Sequence, residues 1–274
     1  MIKQLRNIFN WITFSNIFVA FCVLTLTLSS EILLGTTNFR ISQFVFFATI
    51  FSYNFQRVVK LKQREEQLKT DWQVKNKTST YLIMIISGII IAYHFNYFKT
   101  STQITIILSG ILSLLYPFRI RNIPFAKIFV IALVWTISTM LLLVLENNIL
   151  ISQNLILHLS TRFLFVFAIS IPFDIRDLKF DDKKMKTIPI VFGEEKAKLI
   201  GVMALFLAEL IAIVQMLCFH MELHNLIAFS YIFFLSAILV INSSQNKVAM
   251  YYSFWVESLS IYFYLFLILS TLLL

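Results

Sequence analysis

Apolar residues run along most of the chain, and polar ones interrupt them at short, regular intervals. Reading the apolar windows between these breaks gives nine segments, at about 10–30, 41–58, 79–98, 102–118, 124–145, 155–173, 197–219, 225–241 and 252–273. Each lies close to the ~20 residues that a helix needs to cross the hydrocarbon core of a bilayer. The pattern predicts an all-α integral membrane protein with nine transmembrane helices. Pro/Gly linkers and low-complexity tracts are missing from the sequence, so residues 1–274 read as a single transmembrane domain. The first run follows Lys3 and Arg6 as a signal peptide would. Its length and its lack of a small-residue cleavage site make it a retained span instead.

Composition agrees. Hydrophobic residues make up 59% of the chain and charged ones only 14%, against about a quarter in soluble domains. The distribution of charge sets an orientation. With an internal N terminus, all 23 Lys and Arg residues except Arg40, Lys99 and Arg162 fall in or beside inner loops. Cytoplasmic loops are enriched in Lys and Arg, so the N terminus is expected inside and the C terminus outside. The net charge of +9 is therefore a membrane-topology signature, and no nucleic-acid partner is expected. It also favours an anionic leaflet or an anionic substrate at the inner face. Cys22 and Cys218 both lie in predicted spans, which argues against a disulfide framework. The sequence contains no zinc-type His/Cys spacing, P-loop or nucleophile elbow.

Against this background one stretch is unusual. The segment SIPFDIRDLKFDDKKMKTIPIVFG, residues 170–193, gathers Asp174, Asp177, Asp181 and Asp182 at the end of an apolar run, out of only 14 acidic residues in the chain. Asp174, Asp177 and Asp181 stand at i, i+3 and i+7, which on a helix is one face. Stacked like charges beside a bilayer are costly unless a positive charge sits among them. Two readings fit. Mg²⁺, which takes one or two carboxylates plus substrate phosphates, is one; the other is a solvated loop in which Arg176, Lys179, Lys183 and Lys184 neutralise the aspartates.

The run D-x-x-D-x-x-x-D at 174–181, followed by TIPIVFG at 187–193, resembles the second aspartate motif of the UbiA-type intramembrane prenyltransferases. So does its position after the sixth predicted span. LYPFRIRNIPFAK, with Tyr116, Pro117, Arg119 and Arg121 after span four, is similar to the Tyr-Pro element with basic residues found there in that family. The resemblance implies nine helices around a central cavity open to the bilayer. It also implies transfer of an isoprenyl group from an isoprenyl diphosphate to a hydrophobic or aromatic acceptor. By the same carry-over Mg²⁺ is the cofactor, Asp174, Asp177 and Asp181 are its ligands, and Asp177 and Asp181 are the catalytic pair. Arg119 and Arg121 fall to the diphosphate.

The family's first motif, N-D-x-x-D-x-x-x-D after span two, is replaced here by FSYNFQRVVKLKQREEQ. Asn54 aligns with its asparagine and implies a retained polar contact to the diphosphate; no aspartate follows in either register. Arg57, Lys60 and Arg64 instead repeat the i, i+3, i+7 spacing with positive charge. Three readings stay open: Arg57 and Lys60 bind the diphosphate directly; they pair with Asp177 and Asp181 and close the site of a non-catalytic isoprenoid-lipid binding protein; or the stretch is a basic inner loop. Glu209 and Glu257 fall inside predicted spans, where a carboxylate either serves the cavity, orienting or deprotonating an acceptor hydroxyl, or bonds a neighbouring helix as the neutral acid. His94 reads as interfacial. A phosphatidyltransferase of the CDP-alcohol type is disfavoured because the chain contains no Asp-Gly dipeptide, and a transporter because internal repeats and Gly/Pro-broken helices are missing.

Overall fold

The computed structural model of the chain describes residues 15–63, 76–116, 123–179 and 186–273, with side chains omitted at 60–63. Its regular elements are all helices, with no strand among the described residues. The elements are α1 (Ile17–Leu33), α2 (Phe39–Gln63), α3 (Lys77–Phe95), α4 (Thr100–Leu115), α5 (Ala126–Glu146), α6 (Gln153–Asp177), the short α7 (Ile188–Phe192), α8 (Glu194–Phe219), α9 (Leu223–Ile241) and α10 (Tyr251–Leu273). Among the described residues, α3, α5, α6, α8, α9 and α10 are long and apolar enough to cross a membrane, whereas α1 and α4 are shorter apolar helices. Each predicted window overlaps a helix among the described residues, but the count of nine crossings goes beyond these lengths.

Breaks between helices follow from local chemistry. Gly35 and Gly193 adopt φ of +59° and +83°, the left-handed region that a residue without a Cβ reaches most easily. They end α1 and separate α7 from α8. Ser152 caps α6 by accepting from the Leu155 amide at 3.2 Å. The break between α3 and α4 is fastened by Glu146, whose carboxylate accepts from the Lys99 amide at 3.1 Å and whose carbonyl accepts from Lys99 Nζ at 2.6 Å.

Two layers organise the packing. α8 carries Ala197, Gly201, Ala204, Ala208 and Ala212, all buried, on the face it turns to α6. Small residues let helices approach closely where the hydrophobic effect offers no drive between them. Behind that seam Phe165, Phe229, Phe233 and Phe263 pack ring to ring, with centroids 5.1–6.5 Å apart. α6 thus has two roles: Phe165, Ala168 and Ile171 face this dry core, while Val166, Ile169, Ser170, Phe173, Asp174 and Asp177 line a cavity on its other side. Outward, Ile85, Ile86 and Ile89 on α3 and Met203, Phe206 and Leu207 on α8 are exposed, as expected of surface that faces lipid.

Arg162 departs from the sequence reading. Charge counting set it with the outer side although it falls inside the sixth apolar window; it lies within α6, 2% exposed. Its Nη2 donates to Ser29 and Ser30 at 2.8 and 3.0 Å, and its guanidinium covers the Phe263 ring at 4.6 Å. Hydroxyls and a ring face hold this cation inside the bundle.

Candidate functional site

The cavity, about 620 Å³, is lined from α1 through α6 and from α10, and by no described residue of α8 or α9. Its charged lining gathers at one end of α6. Pro172 lies inside that helix, five residues before its end; a proline there removes one backbone donor from the ladder. Beyond it Asp174 is 3% exposed and Asp177 is half-buried. The helix stops at Asp177, and within it Asp174 and Asp177 both line the cavity. Asp181 lies outside the described residues.

Between the two carboxylates sits Lys127. Its Nζ is 2.7 Å from Asp174 Oδ1 and 3.1 Å from Asp177 Oδ2. Lys127 comes from the first turn of α5. The backbone there is set by Phe125, at φ 62°, whose amide donates to the Lys186 carbonyl at 3.2 Å. The start of α5 is thereby stitched to the segment that follows the aspartates. Arg176 Nε completes the cluster at 2.9 Å from Asp177 Oδ1, with its guanidinium over the Phe173 and Tyr252 rings. Tyr252 itself bonds the backbone of Ser244, and Lys179 Nζ donates to Asn246 at 3.1 Å. The aspartate end of α6 is thus anchored to the loop between α9 and α10.

Arg57 and Tyr116 both line the cavity. Asn54 does not. It is 1% exposed, its Nδ2 donates to the Ser15 and Ile50 carbonyls at 3.0 and 2.9 Å, and its Oδ1 accepts from Asn16 at 3.0 Å. With these atoms engaged, Asn54 is a tie between α1 and α2, and Asn16 reaches the cavity in its stead. Lys60 lies on α2 with its side chain outside the description, and Arg119 and Arg121 fall outside the described residues.

The two intramembrane glutamates separate cleanly. Glu209 is not part of the cavity wall; it accepts from Ser230 Oγ of α9 at 2.5 Å. Glu257 does line the cavity, and Arg176 and Arg57 both act on it electrostatically. It follows the π-helical turn Tyr251–Val256, and a second such turn, Ile137–Leu141 in α5, places Ser138 on the same cavity. Turns of this kind recur at functional sites because they re-aim side chains within a helix. The described cavity wall therefore carries three cations, Arg57, Lys127 and Arg176, against three carboxylates, Asp174, Asp177 and Glu257.

Sequence reasoning passed over Lys127 as a site residue, because a lysine beside a span is ordinary inner-face charge. One signal was available: it opens an otherwise apolar helix, AKIFVIALVWT, and a cation there opposes the helix dipole.

The sequence model of the UbiA prenyltransferase family matches residues 73–259. No curated protein matches the sequence. Among solved structures, the apo form of a UbiA homolog from Aeropyrum pernix K1 superposes with a TM-score of 0.67 at 11% identity, over 93% of this chain and 96% of that one. A UbiA homolog from Archaeoglobus fulgidus bound to GPP and Mg²⁺ gives 0.67 at 14% identity, over 95% and 98%. A structure concerning digeranylgeranylglyceryl phosphate synthase gives 0.62 at 13% identity, over 98% and 100%. At these identities the likeness is one of fold.

Proposed function

The chain belongs to the UbiA prenyltransferase family, and on that premise we propose that it transfers an isoprenyl group from an isoprenyl diphosphate to a hydrophobic or aromatic acceptor drawn from the bilayer. The observation that carries this reading is Asp174 and Asp177 at the end of α6, beside cationic Lys127, Arg176 and Arg57, on the wall of one large and mostly apolar cavity. Apolar walls suit a polyisoprene tail, and the charged end suits a diphosphate. The Archaeoglobus fulgidus homolog has been captured with GPP or DMAPP together with Mg²⁺, which supports the same substrate class here.

The donor set fits Mg²⁺. Carboxylate oxygens are its preferred ligands, and it commonly takes one or two of them together with phosphate oxygens. Asp177, with Asp174 beside it, would hold the ion, and Asp181, outside the described residues, is proposed as a further ligand; each Asp177 oxygen carries a second lone pair beyond its bond to Lys127 or Arg176. When bound, the ion supplies Lewis-acid stabilisation of the leaving diphosphate. The protein's own groups do the rest. Arg57, with Lys60, Arg119 and Arg121, takes up phosphate charge, which the described wall does not balance by itself. The bond between the allylic carbon and the diphosphate oxygen breaks, the acceptor forms its bond to that carbon, and the acceptor's proton passes to Glu257. Dry cavity walls keep water from trapping the cation.

The test is transfer from radiolabelled geranylgeranyl diphosphate into lipid-extractable product, using membranes that hold the protein. Product that forms with Mg²⁺ and disappears in Asp177→Asn supports the reading; product formation unaffected by that change contradicts it. The second reading, a non-catalytic isoprenoid-lipid binding protein, is favoured by the loss of the first aspartate motif and by the charge-balanced wall. It predicts binding of the diphosphate without turnover in the same assay.

A further inference from the structure

Lys127 and its partners stand against their own helix dipoles. A lysine in the first turn of α5 faces the positive end of that helix, and Asp174 and Asp177 lie at the negative end of α6. Each placement is unfavourable by itself. Burial adds to the cost: Lys127 is 7% exposed and Asp174 3%. A buried charge persists only where it is closely paired, and one ammonium at 2.7 and 3.1 Å from two carboxylates supplies that pairing. With Arg176 on the other Asp177 oxygen, two cations offset two anions.

We propose that Lys127 is a built-in counter-ion of the α6 aspartates that takes the place of one divalent cation, so that the site holds at most one metal ion per chain. A divalent ion bridging Asp174 and Asp177 has to expel the ammonium, and the nearby α2 wall presents Arg57 where a second set of carboxylate ligands would be needed. Positive charge that a metal would bring is here covalently fixed at the head of α5. The consequence for the diphosphate rests on the function proposed above; the consequence for metal binding does not. Lys127 acts through Asp174 and Asp177, and is therefore a positioning residue.

The experiment counts metal on purified full-length protein in detergent. Mn²⁺ is titrated and its free fraction read by electron paramagnetic resonance, for the wild type, Lys127→Met and Lys127→Arg, with and without inorganic pyrophosphate. The wild type is expected to bind one Mn²⁺ or none. Lys127→Met is expected to gain one ion, or to bind at least tenfold more tightly, and Lys127→Arg to behave as the wild type. Two Mn²⁺ per wild-type chain overturn the proposal, and so does a folded Lys127→Met with an unchanged titration. Should that variant fail to fold, the wild-type and Lys127→Arg counts decide alone: at most one ion in each supports the proposal, and two in either overturns it. A parallel titration with geranylgeranyl diphosphate reads the proposed function separately. Absence of that binding, with the manganese result intact, removes the substrate and leaves the lysine in its role.

Discussion

At the scale of single residues, the cavity distinguishes groups that a sequence pattern treats alike. Glu209 and Glu257 are both glutamates within apolar helices, yet one bonds Ser230 between α8 and α9 and the other lines the cavity. Replacing Glu257 by Gln keeps its size and removes its ability to take a proton. Turnover is expected to fall about 100-fold, within the range for loss of a general base, while affinity for the isoprenyl diphosphate stays within about twofold; Glu209→Gln leaves both unchanged. Steady-state transfer together with equilibrium binding checks this. Asn54 is the opposite case. Its asparagine register suggested a substrate contact, but its bonds to Ser15, Asn16 and Ile50 make it structural. Asn54→Ala leaves buried partners unsatisfied and is expected to cost about 1–3 kcal/mol of stability, read as a lowered melting temperature in detergent. The aspartates were legible because four acids in a greasy chain stand out. Lys127 was not, because its meaning depends on which helix end it meets, and pairing across 50 residues of sequence leaves no local periodicity.

At the scale of elements, the apolar windows located the helices well, since a helix that faces lipid or a packed core must remain apolar along its length. They located ends less well: α6 runs on past its window to Asp177, because a helix can carry polar residues past its apolar run wherever partners meet them. Arg162 shows the limit of charge counting, since the hydroxyls that accept from it come from α1. The close seam between α6 and α8 was equally silent in the sequence. A Cβ on Gly201 would meet Val240 Cγ1 at 3.0 Å and Ile171 Cδ1 at 3.1 Å. Gly201→Val is therefore expected to overpack the seam and cost about 1–3 kcal/mol. Because α6 carries the aspartates, part of the loss should appear as reduced substrate affinity at temperatures where the protein remains folded. Thermal melts and binding isotherms on the same preparation separate the two.

At the scale of the whole molecule, the fold supplies a cavity with a charged end and apolar walls, and the orientation expected from the basic loops is open to test. Lys179 bonds Asn246, so the α9–α10 loop lies on the same side as Asp177, whereas the α3–α4 turn lies at the opposite ends of its helices. With the site cytoplasmic, Asn246→Cys is expected to resist a membrane-impermeant maleimide in intact cells, and Ser101→Cys to react, both in a Cys218→Ser background; the reverse pattern inverts the topology. The central claim is that this cavity engages an isoprenyl diphosphate through the α6 aspartates and Mg²⁺. Its most direct test is equilibrium binding of geranylgeranyl diphosphate to purified protein with Mg²⁺ and with EDTA, in the wild type and in Asp177→Asn/Asp181→Asn. The account predicts binding that weakens at least tenfold in EDTA and in the double variant; equal affinity under all of these conditions, or no binding to the folded wild type, would contradict it.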